Sequence, residues 1–393
     1  MPNINKVNNI EVASINKQNN FSKASISKID NETVPSTSTF RVALMVGNSG
    51  IIEWNTGSLD NDDHWHRLDK GGDVYRDVTW GPDEDGTECW LISTNKTARP
   101  LIVAKSDGSE NWVPSGSSDW AEIKPSGGPW VGTWNFRGYR VGRGDNQNNE
   151  RATFMMGAMN NSILSTYVSG GITDSANWSQ YYRAFDDSGT NSAIYGISWN
   201  RESDAADSVF ALTIGGDVWI NTNGTGSGDD GGWTMVYDRP GTTGTPWNIQ
   251  FGNSVFVAGG RDTQGRGTIT GSMGSGKPGA WGQMTDPGTE RGMRGAATNM
   301  SGSWVMVGDD GYIWYSGDNA ASWSEVRVPE NDGSSTYRDW YDVAYDNNGT
   351  WVACGERAYA VSTDNGQTWA SSNGLAGNAT YSAIAFNVTN TSQ

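Results

Sequence analysis

Tryptophan is large and costly to leave in water, and here it returns with a rhythm that limits what the chain can fold into. Trp65, Trp112, Trp178, Trp233, Trp281, Trp323 and Trp369 stand about fifty residues apart, a period of repeated supersecondary units. The clearest copy of the phrase around them is S-T-D-N-G-Q-T-W, Ser362 to Trp369. In such a string Asp364 can bond backbone N–H groups of its own turn, Gly366 can take a positive φ, and Trp369 opens a strand by burying its ring. The string closes a hairpin between a third and a fourth strand. Ser58, Asp60 and Trp65 keep the frame without the glycine, and Ser316, Asp318 and Trp323 keep it with Ala320 in that place. Asp107 keeps its distance to Trp112, with Lys105 where the serine belongs. The copies at Trp178, Trp233 and Trp281 retain mainly the tryptophan and a polar turn.

Upstream of each tryptophan the other strands follow in fixed order. An innermost strand reads D-V-T-W-G (77 to 81), G-I-S-W-N (196 to 200), N-I-Q-F-G (248 to 252), G-A-A-T-N (295 to 299) and D-V-A-Y-D (342 to 346). A second, almost wholly apolar strand follows, as in W-V-M-V-G and W-V-A-C-G, a pattern suited to burial on both faces. Hydrophobic residues make up 35% of a chain with 52 glycines, which favours many short strands over helices. The body begins at F-R-V-A-L-M-V-G (40 to 47), a second strand with no first, and ends at S-A-I-A-F-N (382 to 387), a first strand with nothing after it. Together the two ends complete one sheet, and closure removes exposed edges. A β-helix needs much shorter repeats, and a sandwich does not explain the spacing.

The Ser-x-Asp-x-Gly-x-x-Trp string resembles the Asp-box of sialidase-like β-propellers, a resemblance that runs from Phe40 onward. It implies an all-β fold over 40–393: a seven-bladed β-propeller closed by a C-terminal strand pairing into the first blade. V-G-N-S-G-I-I-E-W (46 to 54) resembles the blade phrase of related propellers that serve as photosystem assembly factors.

Residues 4 to 36 form three copies of eleven residues, with matched columns Ile4/Ile15/Ile26, Lys6/Lys17/Lys28 and Asn9/Asn20/Asn31. An eleven-residue period suits a right-handed helical supercoil, but paired Asn, Ser and β-branched residues are poor helix interior. The expectation is strand, Asn-Asn turn, strand, repeated. So little apolar surface requires another surface to complete the fold. The units resemble those that begin structural proteins of tailed bacteriophages, cyanophages in particular. That resemblance implies an anchoring arm at 1–36, a linker at 37–39, a place in a multi-copy virion, and partners among other virion proteins.

The formal charge of −17 (27 Lys and Arg against 44 Asp and Glu) argues against binding a nucleic-acid backbone. Cys89 and Cys354 read as buried thiols, and His64 and His66 as a wet strand edge; no metal or cofactor is expected. The acid clusters at 60–63, 83–85 and 229–230 match no calcium-loop spacing and read as solvated turns. No apolar run predicts a signal peptide or membrane span. In a propeller, the resemblance implies, a ligand meets the channel mouth near the ends of the innermost strands. The residue before each of those strands gives a column: Arg76, Trp130, Tyr195, Trp247, Arg294, Tyr341 and Ser382. Aromatic faces stack on sugars and arginine forks grip carboxylates, so the column is a candidate site for an acidic or neutral glycan, against packing of blade ends. Sialidase catalytic residues cannot be carried over: Phe40-Arg41-Val42 departs from the family's early motif at Val42 and Ala43. Other glycosidases need only two nearby carboxylates, and the turn aspartates Asp60, Asp107, Asp318 and Asp364 are poor candidates. The expected function is a non-enzymatic virion protein displaying a propeller for decoration or host-glycan adhesion. A glycan-degrading hydrolase and a cytoplasmic protein-assembly factor are the alternatives.

Overall fold

Glycine, asparagine and aspartate interrupt the apolar runs every few residues, so no segment is long enough for a helix to repay its nucleation. The computed structural model is accordingly made of strands, turns and short 3-10 segments, with no α-helix among the described residues. Those are residues 41–83, 87–96, 99–108, 112–124, 138–146, 151–158, 163–166, 171–181, 193–199, 210–214, 217–221, 233–237, 245–261, 267–273, 281–283, 291–329, 337–372 and 379–387, with 6–7, 10–11, 28–29 and 32–33.

The chain divides into two units, Met1–Phe40 and Arg41–Gln393. In the first, Lys6–Val7 pairs with Ile10–Glu11, and Lys28–Ile29 with Glu32–Thr33, both antiparallel. The two strand pairs occupy the same offsets in the first and third eleven-residue copies. Ile4, Ile15, Ile26, Asn9, Asn20 and Asn31 lie outside the described residues.

The second unit contains, among the described residues, seven antiparallel sheets; six run in chain order from an inner to an outer strand, and the seventh takes its inner strand from the end of the chain. The inner strands are β1 (Tyr75–Pro82), β2 (Gly138–Asn146), β3 (Ile194–Trp199), β4 (Gln250–Gly252), β5 (Met293–Thr298), β6 (Trp340–Tyr345) and β7 (Tyr381–Phe386). Each lies against the inner strand of the next sheet, and β7 lies against both β6 and β1. Hydrogen bonds tie neighbours: Ile384 N–H donates to Asp342 Oδ2 (3.0 Å) and Phe251 N–H to Ser198 Oγ (2.8 Å). β7 pairs with Ala43–Gly47, so the C-terminal strand completes the sheet begun at the start of the body.

The second strands Ala43–Gly47, Trp304–Gly308 and Trp351–Gly355 are buried at every residue, as their continuous apolar pattern predicts. The core lies between sheets. Met45, Tyr381 and Ile384 of the closing sheet pack on Val352, Cys354 and Tyr359 of the sheet before it. Cys89 and Cys354 are buried free thiols, and burial pushes the Cys354 thiol well up.

One marker is corrected. The fourth strand of the β1 sheet is Trp120–Ile123, pairing with Leu101–Lys105, so Trp120 and not Trp112 opens it. Asp107 and Trp112 fall in the connection before it, which is longer than the other copies suggested. Ser58 and Asp60 also depart from the box frame. The third strand of their sheet ends at Asn55, and a 3-10 turn at Asp62–His64 leads into Trp65.

Candidate functional site at the starts of the inner strands

Six inner strands carry an extra residue near their start. The register against the second strand slips between Tyr75 and Asp77, Gly138 and Arg140, Ile194 and Gly196, Met293 and Gly295, Trp340 and Asp342, and Tyr381 and Ala383. In the seventh sheet Trp247 and Asn248 both donate their N–H to Gly259 O (2.8 and 3.2 Å), a two-against-one arrangement at the equivalent place. A bulge of this kind bends the strand and re-aims the unpaired side chain. The bulged residues are Arg76, Tyr139, Tyr195, Trp247, Arg294, Tyr341 and Ser382. Six match the column read from sequence. Trp130 lies outside the described residues, and the bulge of its sheet falls at Tyr139, because β2 begins later than the alignment assumed.

Three consecutive bulge residues form a stack. The Arg294 guanidinium lies over the Trp247 ring at 4.8 Å and the Tyr341 ring at 4.9 Å. Its edges are clamped as well: Nε donates to Asp309 Oδ1 (2.5 Å) and Nη2 to Asp339 Oδ2 (3.0 Å). Asp309 also accepts from Gly292 N–H (3.2 Å), and Asp339 from Asp310 N–H (3.0 Å). Two rings and two carboxylates thereby hold a half-buried cation, which fixes its direction. Arg261 adds a second guanidinium 4.8 Å from the Trp247 ring. Burial raises the Tyr341 phenol above its ordinary range, with Arg294 opposing.

Gly292 makes the stack possible, since a Cβ there would sit 2.6 Å from Trp247 Cζ3. A repeated device holds the strand starts. Asn48, Asn95, Asp309 and Glu356, each following a second strand, donate their N–H to Thr380, Val74, Gly292 and Asp339 O, two residues before a bulge. The carbonyl approaches so closely that a Cβ on Gly47, Gly308 or Gly355 would overlap it. Arg76 is exposed, and Tyr195 and Ser382 are half-buried. Asp309, Asp339 and Gly292 were not anticipated. The glycine closing each V-G or C-G second strand was the available signal, because it marks where the next carbonyl crosses.

The stack stands at one end of its sheets and the Ser-x-Asp turns at the other. Met293 faces Gly308 at the near end, while Thr298 faces Trp304, and Trp304 faces Ser316, at the far one. Two turns have the predicted geometry. Ser362 Oγ accepts from Gly366 N–H (3.0 Å) and donates to Asp364 Oδ1 (2.9 Å), Thr368 Oγ1 donates to Asp364 Oδ2 (2.6 Å), and Trp369 Nε1 donates to Gly366 O (2.9 Å). Ser316 and Asp318 repeat the serine and aspartate bonds of the turn, with Ala320 at φ 66° where Gly366 has 81°, but without the indole bond, since Trp323 Nε1 has no hydrogen-bond partner among the described residues. Burial alone would raise the Asp364 carboxyl, but the bonds from Thr368 and Ser362 hold it below the ordinary range; those from Ser322 and Ser316 do so for Asp318. The aspartates are therefore spent on their own turns. At Trp65 and Trp178 the indole N–H reaches back six residues, to Leu59 O (3.4 Å) and Ile172 O (2.9 Å), so these tryptophans close a different turn.

No family model and no curated protein matches the sequence. Solved structures do. A streptogramin B lyase superposes with a TM-score of 0.52 at 14% identity, over 77% of this chain and 84% of that one. YCF48 bound to a D1 peptide gives 0.50 at 13% identity, over 80% and 85%. Raptor from Chaetomium thermophilum gives 0.50 at 12% identity, over 82% of this chain and 25% of the other. Likeness at this identity is likeness of fold, and the fold shared by these neighbours and by Arg41–Gln393 is the β-propeller.

Proposed function

We propose that the protein is a non-enzymatic binding module: a seven-bladed Asp-box β-propeller, anchored in a tailed-phage particle through residues 1–36, whose channel mouth binds an acidic or neutral host-surface glycan. The observation that carries the reading is the Trp247–Arg294–Tyr341 stack, because bulges in three adjacent sheets turn an arginine and two aromatics onto one end of the ring. That is the pairing of flat apolar faces with a fixed cation that sugar recognition uses. The cyclic contacts of β1 to β7 and the pairing of β7 with Ala43–Gly47 support the blade count. Recurrence of the same hairpin in two of the eleven-residue copies supports a repeating arm with open edges for a partner to pair with. A hydrolase needs two carboxylates free to exchange a proton or attack. Asp309 and Asp339, the carboxylates bonded to the stack, spend their oxygens on Arg294 and on backbone N–H groups, which favours binding over hydrolysis.

The test is a glycan array probed with the full chain and with the Trp247→Ala/Tyr341→Ala double variant. Wild type is expected to retain at least one glycan, and the variant to lose it by about tenfold or more, the loss of one to two stacking contacts. Equal binding by the two proteins, with matched melting temperatures, rejects the mouth as the site.

A further inference from the structure

At one position of the third strand, facing the middle of each sheet, six sheets carry uncharged residues: Ile102, Leu164, Trp219, Thr270, Trp314 and Ala360. The closing sheet carries Glu53 there, opposite Met45. Glu53 is fully buried. Its Oε2 accepts from the Tyr381 hydroxyl at 2.7 Å, a bond between residues 328 apart in sequence that joins the two ends of the body. Its Oε1 has no hydrogen bond among the described residues and forms an ion pair with Arg67 Nη1 at 3.6 Å, too long for a hydrogen bond. A carboxylate out of water with one hydrogen bond and one distant cation is poorly compensated, whereas a neutral carboxyl in that place is not.

We propose that Glu53 and Tyr381 form a protonation-controlled latch on the seam where the chain ends meet, closed when the carboxyl is neutral and loosened at β7 when it ionises. The groups facing Glu53 are few. Its own sheet presents Tyr381 from β7 and Arg67 from the outer strand. The packed face of the sheet before it presents Cys354 and Tyr359, both held neutral by burial, and the Tyr359 hydroxyl donates to Asp62. Among the described residues, Arg67 is thus the one cation paired with Glu53. Consistent with this, burial lifts the Glu53 carboxyl from 4.5 to about 7 against the opposing pull of Tyr381 and Arg67.

The direction follows. Below pH 4.5 the group is neutral in both open and closed forms and the seam pays nothing. As pH rises from there to about 7 the opened seam gives up its proton first, and closure weakens; above about 7 the loss is complete. The full effect is on the order of a hundredfold in the opening equilibrium.

Hydrogen exchange of the full chain at pH 5.5 and 8.5, corrected for intrinsic rates, reads this in peptides covering Tyr381–Phe386, with Trp340–Tyr345 as the reference strand. Wild type should show opening at β7 rising about tenfold or more between the two pH values, and Glu53→Gln should show no rise. The same rise in Glu53→Gln, no rise in wild type, or an equal rise at β6 overturns the latch. Should Glu53→Gln fail to fold, wild type with carboxyl-labelled glutamate decides the matter. One glutamate titrating near neutrality supports the proposal, and all titrating in the ordinary carboxylate range overturn it.

Discussion

Arg294 is the residue in which sequence pattern and chemistry meet. Strand propensity alone gives no reason for an arginine at the start of an inner strand. Its role follows from what surrounds it: Trp247 and Tyr341 over its faces, Asp309 and Asp339 on its edges. Ser362 is the counterpart at the far end. It is buried, and its hydroxyl accepts from Gly366 N–H while donating to Asp364. Ser362→Ala leaves that buried N–H without an acceptor and should cost about 1–3 kcal/mol in chemical denaturation. The same change at exposed Ser301 should stay within about 0.5 kcal/mol. Equal effects at the two positions would remove the turn from the stability account. The Ser362 turn was legible because every bond in it is local. Arg294 was legible only as a column member, since its clamps come from Asp309 and Asp339, in other segments.

Elements were read well wherever one strand's pattern sufficed, and less well where connections varied. The apolar second strands and the inner strands other than β2 fall where their periodicity places them, because burial on both faces leaves a continuous apolar run. Bulges were invisible as such: an inserted residue changes no composition, and it surfaced only as the arginine and aromatic residues at strand starts. Trp112 was mistaken for Trp120 because a long connection holds a tryptophan at the expected spacing, and spacing cannot tell a loop tryptophan from one with a ladder partner. Trp130 was mistaken for Tyr139 by the same kind of slip. At this scale the sharpest prediction concerns β7. Deleting residues 379–393 strips the only inner strand from the closing sheet and exposes Ala43, Leu44, Met45 and Val46, all fully buried in the intact protein. Losing that burial and opening two sheet edges should lower the melting temperature by roughly 10 °C or more, far beyond the effect of trimming a tail. An unchanged melting curve would show that β7 does not close the sheet.

Over the whole molecule the sequence announced its architecture more clearly than its task. The rhythm of tryptophans and the half-sheets at the two ends carry the ring, whereas a binding surface assembled from single residues of several repeats leaves no contiguous motif. The two units divide the proposed labour between attachment and recognition. A protein lacking residues 1–36 should fold as a monomer with an unchanged melting temperature yet fail to co-sediment with assembled particles; normal incorporation would show that the arm is not the anchor. In the proposed function, recognition happens at the strand starts and not at the conspicuous turns. A structure of the full chain with an acidic oligosaccharide bound tests it most directly. The sugar is expected against the Trp247–Arg294–Tyr341 stack, with its carboxylate toward Arg261. A ligand seated at the Ser316 or Ser362 turns instead would contradict it.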